Sequence, residues 1–275
     1  MPIGTLSEAS SGAAPAPAVR DFYVHIMQVL NASALPYLVG GGYALGHYTG
    51  IARDPKDFDI FVRRDDYDAV MGVLAAAGCE TELTFPHWLG KAVCSHGYVD
   101  VIFNSGNGIA AVDEEWFRFA APAEVCGVPV LLCPAEEMIW SKASIMERER
   151  FDGADIMHLM LRRSEQLDWK RLLRRFGSHW RVLLVHLCLF GYVYPSERAR
   201  IPHWLLRGLT LRLQDEDRRT APPERICQGT LLSREQYLMD VQAWGFLDAR
   251  HTELSTMSDE DIEHWTEAIA NAAGH

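Results

Sequence analysis

A glycine-rich turn followed by an acidic strand is the feature of this sequence that most constrains its fold. The run "YLVGGGYALGHYTGIARDPKDFDIFV", from Tyr37 to Val62, reads as a buried strand, three glycines, a short helix and a second apolar strand. The second strand carries Asp57 and Asp59, one residue apart. Side chains alternate between the faces of a strand, so both carboxylates share one face and the apolar residues form the other. Two like charges beside a core destabilise a fold unless a cation lies between them.

A divalent cation explains the two aspartates better than an exposed acidic edge strand does, once the glycines are considered. Mg²⁺ takes oxygen ligands and is commonly held by one or two carboxylates together with substrate phosphates. Backbone N–H groups in a glycine turn, added to the positive end of the following helix, form an anion cradle. Asp-x-Asp alone is a weak pattern, and a glycine turn alone indicates only a tight bend that needs positive φ. One after the other, the two motifs predict a site for a phosphate and a metal ion. Asp100 in "YVDVIFN" completes this site if its strand lies beside "FDIFV".

The secondary-structure pattern changes near residue 133. Before it, periods of two and of 3.6 residues alternate, which indicates strands interleaved with helices. After Pro134, helical periodicity dominates. We predict an α+β fold: a mixed β-sheet flanked by helices, followed by a mostly helical C-terminal region. The expected domains are a sheet domain over 21–133 and a helical domain over 134–275, after a small-residue, Pro-rich, disordered lead-in over 1–20.

Charge and cysteine usage narrow the classes of function. The net charge is 26 − 37 = −11, which repels a phosphate backbone and counts against a general nucleic-acid binder, although a local basic patch stays open. A cationic small molecule or another protein fits this balance more easily. Six cysteines without a CxxC pair predict neither disulfides nor a zinc site. With no export signal and no membrane-length apolar run, we expect a cytoplasmic protein without a membrane partner.

Taken together, these motifs resemble the DNA polymerase β-like nucleotidyltransferase superfamily. Its signature is a helix beginning with Gly-Gly or Gly-Ser, then Asp-x-Asp on a strand, then a third acid on a neighbouring strand. The matching residues here are Gly41, Gly42, Asp57, Asp59 and Asp100. The run "GIARDPKDFDIFV" is similar to small bacterial members, the antibiotic nucleotidyltransferases and abortive-infection type toxins, in which an Arg precedes the acid pair.

The resemblance covers roughly residues 38–159 and weakens toward its end. The helical run "SKASIMERERFDGADIMHL" supplies Lys142, Arg150 and two aspartates in an order comparable to the family's. Many members have Ser where this chain has Gly42, and many small relatives have Thr or Ser where it has Pro55. Both departures leave open how the triphosphate is held, but neither removes a predicted metal ligand.

The resemblance implies a Mg²⁺-dependent transferase that binds NTPs, ATP included. It would move a nucleoside monophosphate to a hydroxyl of a small-molecule acceptor and release pyrophosphate. Two Mg²⁺ ions are implied: Asp57 and Asp59 would bridge both, and Asp100 would hold the ion nearer the acceptor and take the hydroxyl proton. Gly41 and Gly42 would give backbone donors to the β- and γ-phosphates.

Three cations are candidates for binding the nucleotide phosphates: Arg53, Lys56 and Lys142. The first two are equally well explained as solvated loop charges, and the third as a plain surface lysine. We interpret Arg150 with Asp152 or Asp155 as a structural ion pair joining the two halves. Two alternatives stay open: the same chemistry on a tRNA or protein acceptor, and a non-catalytic nucleotide-binding protein of this fold. The intact acid trio disfavours the second alternative, and the acidic charge disfavours RNA.

Overall fold

The structure is a computed structural model that describes residues 17–51 and 57–272. Seven strands, numbered in chain order, form its main sheet: β1 Leu38–Val39, β2 Phe58–Phe61, β3 Glu80–Phe85, β4 Leu89–Cys94, β5 Gly97–Ile102, β6 Ala121–Val125 and β7 Val128–Leu132. A small parallel pair joins β8 Ile226–Cys227 to β9 Leu247–Asp248.

Helices flank the main sheet and make up most of the chain that follows it. The α-helices are α1 Pro17–Ser33, α2 Gly41–Thr49, α3 Arg64–Ala76, α4 Glu114–Arg118, α5 Ala135–Ala143, α6 Gly153–Arg163, α7 Trp169–Phe176, α8 Trp180–Val193, α9 His203–Asp217, α10 Leu238–Gln242 and α11 Asp259–Ala272. Within the described ranges, no helix combines the length and the apolar character needed to cross a bilayer.

The strand order of the main sheet is β3-β4-β5-β2-β1-β7-β6. Strand β2 pairs parallel to β5 and antiparallel to β1, and β1 pairs parallel to β7. The outer pairs β3–β4, β4–β5 and β6–β7 are antiparallel. The sheet is therefore mixed and flanked by helices, which confirms the predicted α+β class. The predicted division into domains at residue 133 stays a prediction.

The alternation read from "FDIFV" is present in β2. Phe58 and Ile60 are fully buried, whereas Asp59 and Phe61 on the opposite face are partly exposed. Tyr23 of α1 stacks on Phe58 with ring centroids 4.9 Å apart, and α1 contacts α3. Burying a side chain of this size contributes about 1.5–3 kcal/mol. This packing fixes which face of β2 the carboxylates occupy.

Ion pairs connect the helices after the sheet to the sheet half. Arg171 of α7 donates to both carboxylate oxygens of Glu137 on α5, and Arg175 donates to Glu137 and to Asp113, the N-cap of α4. Arg150, expected to join the two halves, instead pairs with Asp152, which is only two residues away in the helical half. The connection is therefore made by α7, through Arg175 and Asp113.

Several elements of the structure differ from the prediction. Strand β6 and helix α4 were not predicted, and α5 ends at Ala143 although the predicted helical run continued further. Helix α1 begins at Pro17, so the end of the predicted lead-in is helical; residues 1–16 of that lead-in lie outside the described residues.

The absence of disulfides predicted from the cysteine spacing is wrong for one pair. Cys79 and Cys94 form a disulfide, with their Cα atoms 4.6 Å apart. Cys79 directly precedes β3 and Cys94 ends β4, and these antiparallel strands pair Glu80 with Val93. The hairpin therefore brings together two cysteines separated by 15 positions. The other four, Cys126, Cys133, Cys188 and Cys227, are free.

Candidate active site

Three carboxylates meet where β2 and β5 run side by side. Asp57 directly precedes β2, Asp59 lies within it, and Asp100 lies on β5. Asp59 is the register partner of Asp100. One carboxylate oxygen from each of the three residues lies within 4.8 Å of the others. The structure thus brings together the acids that the sequence predicted, and we call these three residues the acidic site.

Burial and electrostatic repulsion within the acidic site both act on the pKa of Asp59. Burial first, and then the charges of Asp57 and Asp100, raise the pKa of Asp59 to about 7, against the opposing effect of Lys142 and Arg150. Burial also raises the pKa of Asp100, while a hydrogen bond from Lys91 opposes that shift. Carboxylates whose ionised forms repel one another in this way bind a cation favourably.

The glycine turn places the start of α2 directly beside the acidic site. Gly41 has φ +51°, and a Cβ at this position would lie 1.7 Å from Asp59 Oδ2. Gly40, the N-cap of α2, donates its backbone N–H to the carbonyl of Asp59 at 3.0 Å. The first N–H groups of an α-helix have no acceptor within the helix and carry its positive end. Gly41 and Gly42 therefore belong to a helix N-terminus that lies beside the carboxylates, as an anion cradle requires.

The donor set fits a hard divalent cation. Three carboxylates supply oxygen ligands only, which is the ligand type that Mg²⁺ and Mn²⁺ prefer. Because residue 41 has no side chain, the backbone at the start of α2 can approach the Asp59 carboxylate closely. Asp57, Asp59 and Asp100 are the residues that would hold such an ion.

Lys91 is a member of the site that the sequence motifs do not indicate. Its Nζ donates to Asp100 Oδ1 at 2.5 Å and lies 4.6 Å from the ring centroid of Tyr98. The signal lies in the two strands of the β4–β5 hairpin and the short turn between them. Pairing Cys94 with Gly97 across the turn places Lys91 opposite Asp100, so counting the register outward from the turn would have found it.

Lys142, predicted to bind the nucleotide, lies among acids of its own half. Its Nζ is 2.6 Å from Asp152 Oδ2 and 3.0 Å from Asp155 Oδ2. Its charge still lowers the pKa of Asp59, and so does that of Arg150. The positive charges of Lys142 and Arg150 are therefore balanced by the negative charges of Asp152 and Asp155. Predicted phosphate-binding residues Arg53 and Lys56 lie outside the described residues.

Comparison with known proteins gives structural matches only. No protein-family model and no curated protein sequence matches this chain. The solution structure of the antibiotic-resistance factor ANT(2'')-Ia is 17% identical, covers 61% of this chain and 95% of its own, and has a TM-score of 0.45. The lincosamide antibiotic adenylyltransferase LnuA, lincomycin-bound, is 17% identical over 51% of this chain and 94% of its own, with a TM-score of 0.37.

A third similar structure is an antigenic nucleotidyltransferase-like protein from Paracoccidioides brasiliensis. It is 15% identical, covers 66% of this chain and 91% of its own, and has a TM-score of 0.43. Antibiotic nucleotidyltransferases are thus among the solved structures to which this chain is similar.

Proposed function

We propose that this protein is a metal-dependent nucleotidyltransferase that transfers a nucleoside monophosphate from an NTP to a hydroxyl of a small-molecule acceptor. One observation carries the proposal. The oxygens of Asp57, Asp59 and Asp100 lie within 4.8 Å of one another, directly beside a helix N-terminus at which Gly41 excludes any side chain. A cation site and a phosphate site that touch each other are what nucleotidyl transfer needs.

In the proposed reaction, the acceptor hydroxyl oxygen bonds to the α-phosphorus of the NTP while the bond from that phosphorus to the bridging oxygen of pyrophosphate breaks. Pyrophosphate leaves with the electron pair of that bond, and the hydroxyl proton passes to Asp100. A divalent cation, when bound, neutralises the charge of the reacting phosphates. Asp57 and Asp59 hold that cation, and the backbone N–H groups of Gly41 and Gly42 orient the phosphates. Catalysis then consists of positioning and charge neutralisation.

The charge of the protein supports a small acceptor over a nucleic acid. A chain with a net charge of −11 repels a polyanion on average, so an RNA acceptor would need a basic surface that outweighs this field. A cationic hydroxyl compound is attracted instead. Small cationic molecules that carry a hydroxyl group are therefore the favoured class of acceptor.

The test is a labelling assay with each of the four α-³²P-NTPs, Mg²⁺ and a panel of hydroxyl-bearing small molecules. Total RNA and a protein extract form separate arms. Label transferred to a small molecule, with matching pyrophosphate release, is the expected result. Label on RNA or protein keeps the chemistry and replaces the acceptor class. No NTP binding in any arm, measured by calorimetry, overturns the proposal.

Asp59→Asn is the matched active-site variant, because it keeps the shape of the side chain and removes its charge. It should abolish transfer while the chain remains folded. Asp68→Asn on α3 is the control, since the Asp68 side chain is 86% exposed. Equal loss of activity in both variants would show that the acidic site is not the seat of the chemistry.

A further inference from the structure

The ammonium of Lys91 is built into the acidic site by strand pairing. Lys91 on β4 is the register partner of Asp100 on β5, and its Nζ donates to Asp100 Oδ1 at 2.5 Å. The ring of Tyr98, on the same face of the hairpin, lies under the ammonium at 4.6 Å. A carboxylate and the negative face of an aromatic ring both attract a cation. Lys91 is thus held at Asp100 from two directions.

The other cations near the site are balanced by acids of their own. Lys142 and Arg150 together carry two positive charges, and Asp152 and Asp155, which bind them, carry two negative charges. Among the described residues, Lys91 is the cation whose hydrogen bond goes to the acidic site itself. Its register partner on the other side, Glu82, is exposed to solvent.

The charge count of the site favours one divalent cation. The three ionised carboxylates carry −3, and Lys91 carries +1. A single divalent ion brings the sum to −3 + 1 + 2 = 0, whereas two bring it to +2 before any phosphate is bound. A second divalent ion bound at Asp100 would also have to sit beside an ammonium that already occupies one oxygen of that carboxylate.

We propose that the Lys91 ammonium replaces a second divalent cation at Asp100, so that the site binds one divalent ion, between Asp57 and Asp59. This inference rests on the proposed nucleotidyltransferase function and departs from the two ions implied by the family resemblance. Lys91 acts here as a positioning residue: it holds Asp100 and supplies fixed positive charge at the acceptor side. The Lys91 ammonium is already in contact with Asp100, whereas Mg²⁺ must enter from solution and dehydrates reluctantly.

Counting bound metal tests this inference directly. Mn²⁺ serves as the probe, because it takes the same oxygen ligands as Mg²⁺ and its free ion is measured by electron paramagnetic resonance. The full-length protein is titrated with Mn²⁺ alone at pH 8. Wild type should bind one ion per chain. Lys91→Met should bind two, because Asp100 then lacks a cation, and Lys91→Arg should return to one.

Lys170→Met is the matched control, since Lys170 is an exposed lysine on α7, and it should bind one ion like wild type. Circular dichroism and urea unfolding report whether each variant is folded. Two tightly bound ions in wild type, or one in folded Lys91→Met, would overturn the inference and leave the proposed transferase intact. No Mn²⁺ bound by wild type would instead remove the metal centre on which the proposed function depends. The wild-type count decides between one ion and two even if Lys91→Met does not fold.

Discussion

Gly41 and Asp59 approach each other so closely that residue 41 has no room for a side chain. A Cβ there would lie 1.7 Å from Asp59 Oδ2, and the backbone has the left-handed φ of +51°. Gly41→Ala should therefore lower the free energy of unfolding by at least about 1–2 kcal/mol from the backbone conformation alone. It should also weaken Mn²⁺ binding, because the methyl group displaces a carboxylate of the acidic site. Urea unfolding and a Mn²⁺ titration measure the two effects.

Gly72→Ala is the control for that substitution. Gly72 lies within α3, and an added Cβ meets no atom within 4 Å. Replacing a mid-helix glycine with alanine should stabilise the protein by about 0.5–1 kcal/mol. If Gly41→Ala behaved like Gly72→Ala in both measurements, the helix N-terminus would not be in contact with Asp59.

Metal affinity should fall as the solution becomes more acidic. In the metal-free protein the pKa of Asp59 is raised to about 7, by burial first and then by the neighbouring acids. Metal binds the ionised carboxylate, so binding below this pKa must release a proton. Between pH 8 and pH 6 the Mn²⁺ affinity should drop about tenfold, with roughly one proton released per ion at pH 6.

Calorimetry in two buffers of different ionisation enthalpy measures that proton release. An unshifted aspartate, with its ordinary pKa near 4, is fully ionised over this range and would give almost no change. A flat affinity between pH 6 and pH 8 would therefore contradict the electrostatic description of the site.

The buried ion network between α5 and α7 should be costly to break. Arg171 donates to both oxygens of Glu137, whose side chain is fully buried, and also binds Glu136. Burial already raises the pKa of Glu137 against the effect of Arg171 and Arg175. Arg171→Met should lower the free energy of unfolding by about 3–5 kcal/mol, because it leaves buried carboxylates short of a partner.

The exposed pair of Arg181 and Glu216 provides the comparison. The Arg181 side chain is 56% exposed, so Arg181→Met should cost less than about 1 kcal/mol. Urea unfolding of both variants gives the two values. Similar losses would mean that the α5–α7 network is solvated in solution.

The disulfide between Cys79 and Cys94 should stabilise the sheet edge. It closes a loop of 15 residues at the end of the β3–β4 hairpin. Reduction should lower the free energy of unfolding by about 3 kcal/mol through the greater freedom of the unfolded chain. The double variant Cys79→Ser, Cys94→Ser should already show this loss and should not respond to reductant. A wild-type unfolding curve that reductant leaves unchanged would show that these thiols are not paired in solution.

The local pattern around the acidic site carried most of the information needed to predict it. Alternation in "FDIFV" gave the faces of β2, and one acid in an apolar strand indicated Asp100. Strand order was not available from such patterns, because β5 lies beside β2 only after α3, β3 and β4 have intervened in the chain. The prediction that the three acids meet therefore depended on whether β2 and β5 are neighbours, as they are in the structure.

The elements that were missed have physical reasons. Strand β6 contains Pro122, which removes a backbone donor, so the run does not read as a strand; Pro is tolerated there because β6 is the last strand of the sheet. Helix α4 has five residues, too few to show a helical period. Long-range pairs such as Arg175 with Asp113, 62 positions apart, leave no trace in a local window.

The register between β2 and β5 makes the acidic site sensitive to chain length in a way that substitutions do not reveal. A residue inserted within β5 between the turn and Asp100 would shift the register of the rest of that strand by one residue. The Asp100 carboxylate would then lie on the opposite face of the sheet. The same insertion in the Ser95–His96 bend would only enlarge a surface loop. An insertion before Gly97 should thus leave the acidic site intact and one after it should disrupt the site, even though the two positions are neighbours in the sequence.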